Sequence, residues 1–133
     1  MRLAILIGAV ALAGCAAQAD SQSSRQAEAD RDLAKALDGR VAGKPADCIS
    51  ATSSDGPTII DQRTVLYRDG RRVWVNDLGG NCPGLDEDDI LIVEIHGSQI
   101  CRHDRFRVTE RGSAVPGPYC TFGSFTPYAK PKP

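Results

Sequence analysis

The sequence predicts an all-β domain, a small sandwich or partly open barrel of five or six short strands, preceded by a signal segment and a possibly helical tether. Three observations lead there. From Cys48 onward the composition turns to β-branched residues punctuated by Gly and Pro. An Asp69-Gly70 pair sits between two alternating runs, as in a tight hairpin. Four cysteines, Cys48, Cys82, Cys101 and Cys120, fall inside that stretch, as in small exported domains whose cores need covalent support.

The chain opens with Arg2, an apolar run from Leu3 to Ala13 and small residues around Cys15, the layout of a secretory signal. Eleven residues rising ~1.5 Å each reach about 17 Å, well short of the roughly 30 Å of a bilayer core. The run is therefore read as a signal over residues 1–14 and not as a membrane span. Leu12-Ala13-Gly14-Cys15 also resembles the lipobox of bacterial lipoproteins, in which the Cys thiol is acylated and becomes the new N-terminus. That resemblance implies lipid on Cys15. Ala16 after it implies sorting to the outer membrane, since Asp there is the usual retention signal. More than one acyl chain gives stable anchoring, so the expected location is the periplasmic face of the outer membrane. A second exit, Ala17-Gln18-Ala19 before Asp20, has the A-x-A form. Cleavage there would discard Cys15 and release a soluble periplasmic or secreted protein.

Residues 15–46 are Ala-rich and charged, without an aromatic residue. Ser23 or Ser24 is a candidate cap for a helix through Leu37, with Gly39 ending it in a left-handed conformation. Leu33, Ala34 and Leu37 supply a thin apolar stripe, which fits a spacer or a weakly docked tether. Gly43-Lys44-Pro45 marks the boundary to a β domain over 47–128, and residues 129–133, ending Lys130-Pro131-Lys132-Pro133, read as a loose tail.

Within the domain, Thr64 to Arg68 and Arg71 to Asn76 form the hairpin, with Asp69-Gly70 as a type I′ turn. This register sets Leu66 opposite Val73 and Thr64 opposite Val75, so Leu66, Val73 and Val75 share one face, expected toward the core. Tyr67, Arg72, Trp74 and Asn76 share the other, a candidate binding surface of guanidinium beside aromatic rings, or an ordinary rim of cation–π pairs. Ile90 to Ile95 is apolar at both parities except at Glu94 and reads as a central strand. Arg105 to Thr109 alternates, with Phe106 and Val108 inward. A last strand is expected from Cys120 through Phe125, stopped by Pro127, and Thr58 to Ile60 is a further short candidate.

The 16 basic and 17 acidic side chains leave a formal charge of −1, and loss of Arg2 with the signal makes it −2. No basic stripe argues for nucleic acid, which is not an expected partner. If Cys15 carries lipid, the other four cysteines form an even set. Disulfides are favoured over zinc because no pair has C-x-x-C spacing and an exported chain meets an oxidising compartment. Of three possible pairings, Cys48 with Cys120 and Cys82 with Cys101 is the expected one, worth roughly 4 and roughly 3 kcal/mol in the chain-entropy model.

Candidate chemistry is sparse. His103 beside Asp104 has the residue types of a general base and its orienting carboxylate, but neighbours on a strand point oppositely. His96 before Gly97 reads as a turn residue. Asp86-Glu87-Asp88-Asp89 lacks the alternating ligands and central Gly of an EF-hand loop and reads as a solvated loop. There is no G-x-S-x-G elbow and no Gly-rich phosphate cradle, so neither metal nor cofactor is expected.

Several short motifs carry a family resemblance. They are Gly43-Lys44-Pro45 before Cys48-Ile49, Trp74 and Asn76 with Leu78, Cys82-Pro83-Gly84-Leu85, Ile100-Cys101-Arg102-His103-Asp104, and Cys120 with Gly123-Ser124-Phe125-Thr126-Pro127-Tyr128. Over residues 43–128 the chain resembles a family of small exported proteobacterial proteins of unknown function. The resemblance implies export and paired cysteines, lends no activity, and places a common Gly where this chain has His103. The expected function is a non-catalytic lipoprotein of the cell envelope, an interaction or structural module attached to the membrane through Cys15, with an envelope protein or surface polymer as its partner. The alternative is an envelope hydrolase or inhibitor acting through Arg102 to Asp104.

Overall fold

The computed structural model describes residues 6–80 and 82–132, with side chains from residue 18 onward. The first five residues and the side chain of Cys15 lie outside it, and with them the expected cleavage and acylation. A helix, α1 (Leu6–Ala36), leads into ten short strands: β1 (Val41–Ala42), β2 (Cys48–Ser50), β3 (Thr58–Ile59), β4 (Thr64–Asp69), β5 (Arg72–Asp77), β6 (Ile90–Val93), β7 (Gln99–Cys101), β8 (Arg105–Thr109), β9 (Tyr119–Thr121) and β10 (Phe125–Ala129). They build three antiparallel sheets, a five-stranded one in the order β1-β10-β5-β4-β3, a three-stranded one in the order β6-β8-β9, and the pair β2-β7. The large sheet does not close, so the architecture is an all-β domain with open edges.

All three sheets contribute to one core. Val65, Tyr67 and Trp74 from the large sheet meet Ile49 and Ile100 from the pair, Phe106 and Cys120 from the three-stranded sheet, and Leu78, Leu85 and Phe122 from connections. Phe122 sits at its centre, with ring centroids 4.5 Å from Phe106, 5.8 Å from Phe125 and 6.1 Å from Tyr67. Edge-on and offset rings of this kind contribute beyond their area burial.

The hairpin differs from expectation in register and in orientation. Asp69 pairs with Arg72, Tyr67 with Trp74 and Leu66 with Val75, so Gly70 and Arg71 are the two turn residues. Gly70 has φ 57° while Arg71 stays in the ordinary half of the map, the pattern of a type II′ turn with Gly first. The slip preserves which residues share a face, but the core takes the aromatic face. The other face is covered as well: Leu66 and Val73 are 2% and 1% exposed. A trough lined by Lys35, Ala36, Ile59, Leu66 and Arg68 places α1 across it.

Helix α1 docks through Ala29, which is buried, and through half-buried Leu33 and Ala36, with half-buried Leu37 just after it, while Ala34 faces solvent. Ser23 and Ser24 cap nothing. Their hydroxyls donate to the Asp20 carbonyl within a helix that begins far upstream. Gly39, with φ 65°, ends the helical run as the sequence predicts.

Two further strands depart from expectation for identifiable reasons. β6 lies at a sheet edge, not at a centre. Leu91 and Val93 pack on the core, leaving Ile90 and Ile92 each 44% exposed on the outer surface. Pro127 does not stop a strand but lies inside β10, opposite Trp74. Its carbonyl accepts the Gly43 N–H at 2.7 Å, so the donor that Pro lacks falls on the side where β1 has just ended. β2, β7 and β9 have three residues each, too short for an alternation to be read from sequence.

The four cysteines are paired, but in a different arrangement from that expected: Cys48 with Cys101 and Cys82 with Cys120. Cys48 and Cys101 are direct partners in the β2-β7 register. The closed spans of 53 and 38 residues contribute about 4 kcal/mol each in the chain-entropy model.

Candidate interaction surface

The residues proposed from sequence as a binding face are mostly interior. Tyr67 and Trp74 are 2% and 8% exposed and Asn76 is fully buried, which removes them as a docking surface. Alternation alone says which residues share a face, not which face is covered. Only Arg72 remains outside, its guanidinium 5.1 Å from the centroid of the Trp74 ring. Burial raises the Tyr67 phenol well above its ordinary value. Asn76 serves the fold by bonding both backbone groups of Gly123.

The His103-Asp104 pair is also divided. Asp104 accepts the Cys101 N–H at 2.7 Å, closing the turn after β7, while His103 Nε2 accepts from Arg102 Nε at 3.0 Å. His103 has φ 73°, the left-handed conformation a turn requires there and one that Gly adopts without cost. Asp104 thus orients a backbone, not an imidazole. His96 bridges to Gln99 across the turn that joins β6 to β7. In the acidic loop Asp86 accepts the Glu87 N–H and Asp89 the Asp86 N–H, ordinary loop bonds, and no metal-binding group of three or more side chains occurs among the described residues.

Two surface features emerge that sequence reasoning missed. On the outer side of the three-stranded sheet, Arg105 and Arg107 both lie over the Tyr119 ring, at 4.8 and 5.0 Å from its centroid. Arg107 is further fixed by the Gly117 and Pro116 carbonyls and Arg105 by Glu94, so this cluster is held mainly by its own contacts. At the hairpin end of the large sheet, basic side chains come together from three separate parts of the chain. Arg68, Arg71 and Arg72 belong to the hairpin, Arg40 donates to the Arg71 carbonyl, and Lys130 follows Ala129, the partner of Arg72. Such a cluster is invisible in linear charge patterning because its members are up to ninety residues apart.

Carboxylates are interspersed with these basic side chains: the trough beside Arg40, Arg68 and Lys130 also holds Asp32, Asp38, Glu87 and Asp88. A cleft of about 450 Å³ between α1 and the β domain is lined by Arg25, Glu28, Asp32, Asp61, Arg63, Asp86 and Glu87 among others. Neither this cleft nor the trough beside Leu66 includes Arg102, His103 or Asp104.

Fold and covalent frame define a small disulfide-bonded all-β protein with a docked N-terminal helix. Over residues 1–132 the chain matches the family of unknown function DUF6491, and it belongs to that family. No curated protein and no solved structure matches it.

Proposed function

We propose that the protein is a non-catalytic lipoprotein of the cell envelope, held at the periplasmic face of the outer membrane by acyl chains on Cys15, with its β domain acting as an interaction or structural module. The division of the cysteines carries this reading. Four are consumed in two disulfides, and the fifth stands in the Leu12-Ala13-Gly14-Cys15 context. Disulfides persist where the compartment is oxidising, which agrees with export. The alternative of a hydrolase near Arg102 needs His103 and Asp104 to cooperate, and they bond to different partners.

Metabolic labelling with an alkyne fatty acid tests the reading directly. Label is expected on wild-type protein in the outer-membrane fraction and is lost, together with membrane association, in Cys15→Ser. A soluble mature protein beginning at Asp20, or protein with four free thiols after rapid alkylation, would overturn it.

A further inference from the structure

We propose that β6 is an interface strand, at which a second copy of this chain pairs antiparallel, edge to edge, and joins two three-stranded sheets into one of six strands. β6 forms one side of its sheet. The Glu94 N–H donates to the Arg105 carbonyl at 3.2 Å, and successive residues of an antiparallel strand bond to opposite sides. Leu91 and Val93 therefore turn their N–H and C=O groups away from β8, toward a side on which no strand among the described residues pairs with them. Free edges are ordinarily guarded by Lys, Pro or a bulge. Ile90-Leu91-Ile92-Val93 has none of these, and its register with β8 is unbroken. Ile90 and Ile92 are exposed on the outer face, and Ile95 is exposed just beyond. The charged side chains beside them are already engaged, Glu94 by Arg105 and Arg107 by the Gly117 and Pro116 carbonyls. What the edge offers a partner is backbone and aliphatic surface.

Any strand could bond to this backbone, and the side chains select the copy. Outer residues must lie opposite outer residues, so a two-fold axis has to pass through a residue position. Through Ile92 it sets the two Ile92 side chains together, Leu91 opposite the partner's Val93 and Ile90 opposite the partner's Glu94, with Asp88 toward the partner's His96. No carboxylate of the segment then faces another. An axis through Leu91 instead sets Glu94 opposite the partner's Asp88, like charges face to face. One through Val93 separates the isoleucines, Ile92 meeting the partner's Glu94 and Ile90 the partner's His96. β6 is moreover already extended, whereas a loose peptide would lose backbone freedom on joining the same edge. About five paired residues span roughly 17 Å, a small contact of the transient class. Pairing at β6 needs no lipid on Cys15.

Sedimentation equilibrium of the full-length protein in density-matched detergent tests the pairing. Wild type is expected to pass from monomer to dimer between about 1 and 100 µM, the range of a small interface. Ile92→Lys sets two ammonium groups face to face and removes two apolar contacts, so association should weaken roughly a hundredfold. Its melting temperature should equal that of wild type at a dilution where both are monomers. Val41→Lys, at an exposed apolar position of the five-stranded sheet, should associate as wild type. Under mild oxidation Ile92→Cys should give a disulfide-linked dimer. Wild type should not, nor should Ile90→Cys, whose two copies stand about 14 Å apart along the strands. Wild type that stays monomeric at about 100 µM overturns the proposal, as does undiminished association by Ile92→Lys. Linkage by Ile90→Cys and not by Ile92→Cys overturns the axis through Ile92 and the selection of a copy with it. A photo-crosslinker at position 92 that captures, in cells, a different protein and no second copy overturns the proposal in favour of another strand.

Discussion

Asn76 and Gly123 hold each other by both edges: the Asn76 amide donates to the Gly123 carbonyl at 2.8 Å, and the Gly123 N–H donates to Asn76 Oδ1 at 2.9 Å. The pair ties β5 to the connection between β9 and β10, beside Phe122 and Phe125. A Cβ on Gly123 would collide with the Asp77 backbone carbonyl. Asn76→Ala removes the partner of both backbone groups of half-buried Gly123 and is expected to cost about 2–4 kcal/mol. Gly123→Ala should cost at least as much, because backbone cannot move aside as a side chain can. Urea denaturation of both variants checks this, and a loss below about 1 kcal/mol for either contradicts the clamp.

Tyr67 makes stability depend on alkaline pH. Its hydroxyl has no hydrogen-bond partner, and burial raises its pKa above the ordinary 10.0. Above that value the unfolded chain releases the proton while the folded chain keeps it, so the contribution is fully present below pH 10 and is lost as pH rises further. Tyr67→Phe should flatten this decline and, at pH 7, lie within about 1 kcal/mol of wild type, since no buried bond is broken. Thermal melts from pH 7 to 11 provide the comparison.

The disulfides give a third expectation. Peptide mapping without reduction should recover Cys48 joined to Cys101 and Cys82 joined to Cys120. Replacing both members of either pair with Ser should lower stability by about 2–5 kcal/mol, read as a fall in the denaturation midpoint.

His103→Gly should leave stability unchanged or raise it by up to about 1 kcal/mol. A non-Gly residue in the left-handed region costs roughly 1–2 kcal/mol, partly offset by the greater freedom of Gly in the unfolded chain. His103→Val, β-branched at φ 73°, should be less stable than wild type. Calorimetry on the two variants decides.

Much of the β architecture was legible in the residues. The alternation over Arg105 to Thr109 marks β8 at its observed bounds, and Asp69-Gly70 marks the hairpin. The sharing of faces survived a two-residue change in register sum because a slip of that size keeps side-chain parity. What was not legible depends on distant contact. Which hairpin face is interior is decided by Phe122 and Phe125 on one side and α1 on the other. The cysteine pairing follows from β2 meeting β7, two strands too brief to announce themselves. Arg40, the hairpin arginines and Lys130 are neighbours, among carboxylates of α1 and of the acidic loop, only because the fold brings them together.

The two sulfur bridges interleave, each closing a span that contains one end of the other. In topological terms the chain from Cys48 to Cys120 is a linked network. One backbone nick in each of any two of its three inter-cysteine segments leaves every fragment attached, whereas a nested arrangement would shed residues 82–101 as a free piece. A nicked copy would therefore migrate as one species until it is reduced.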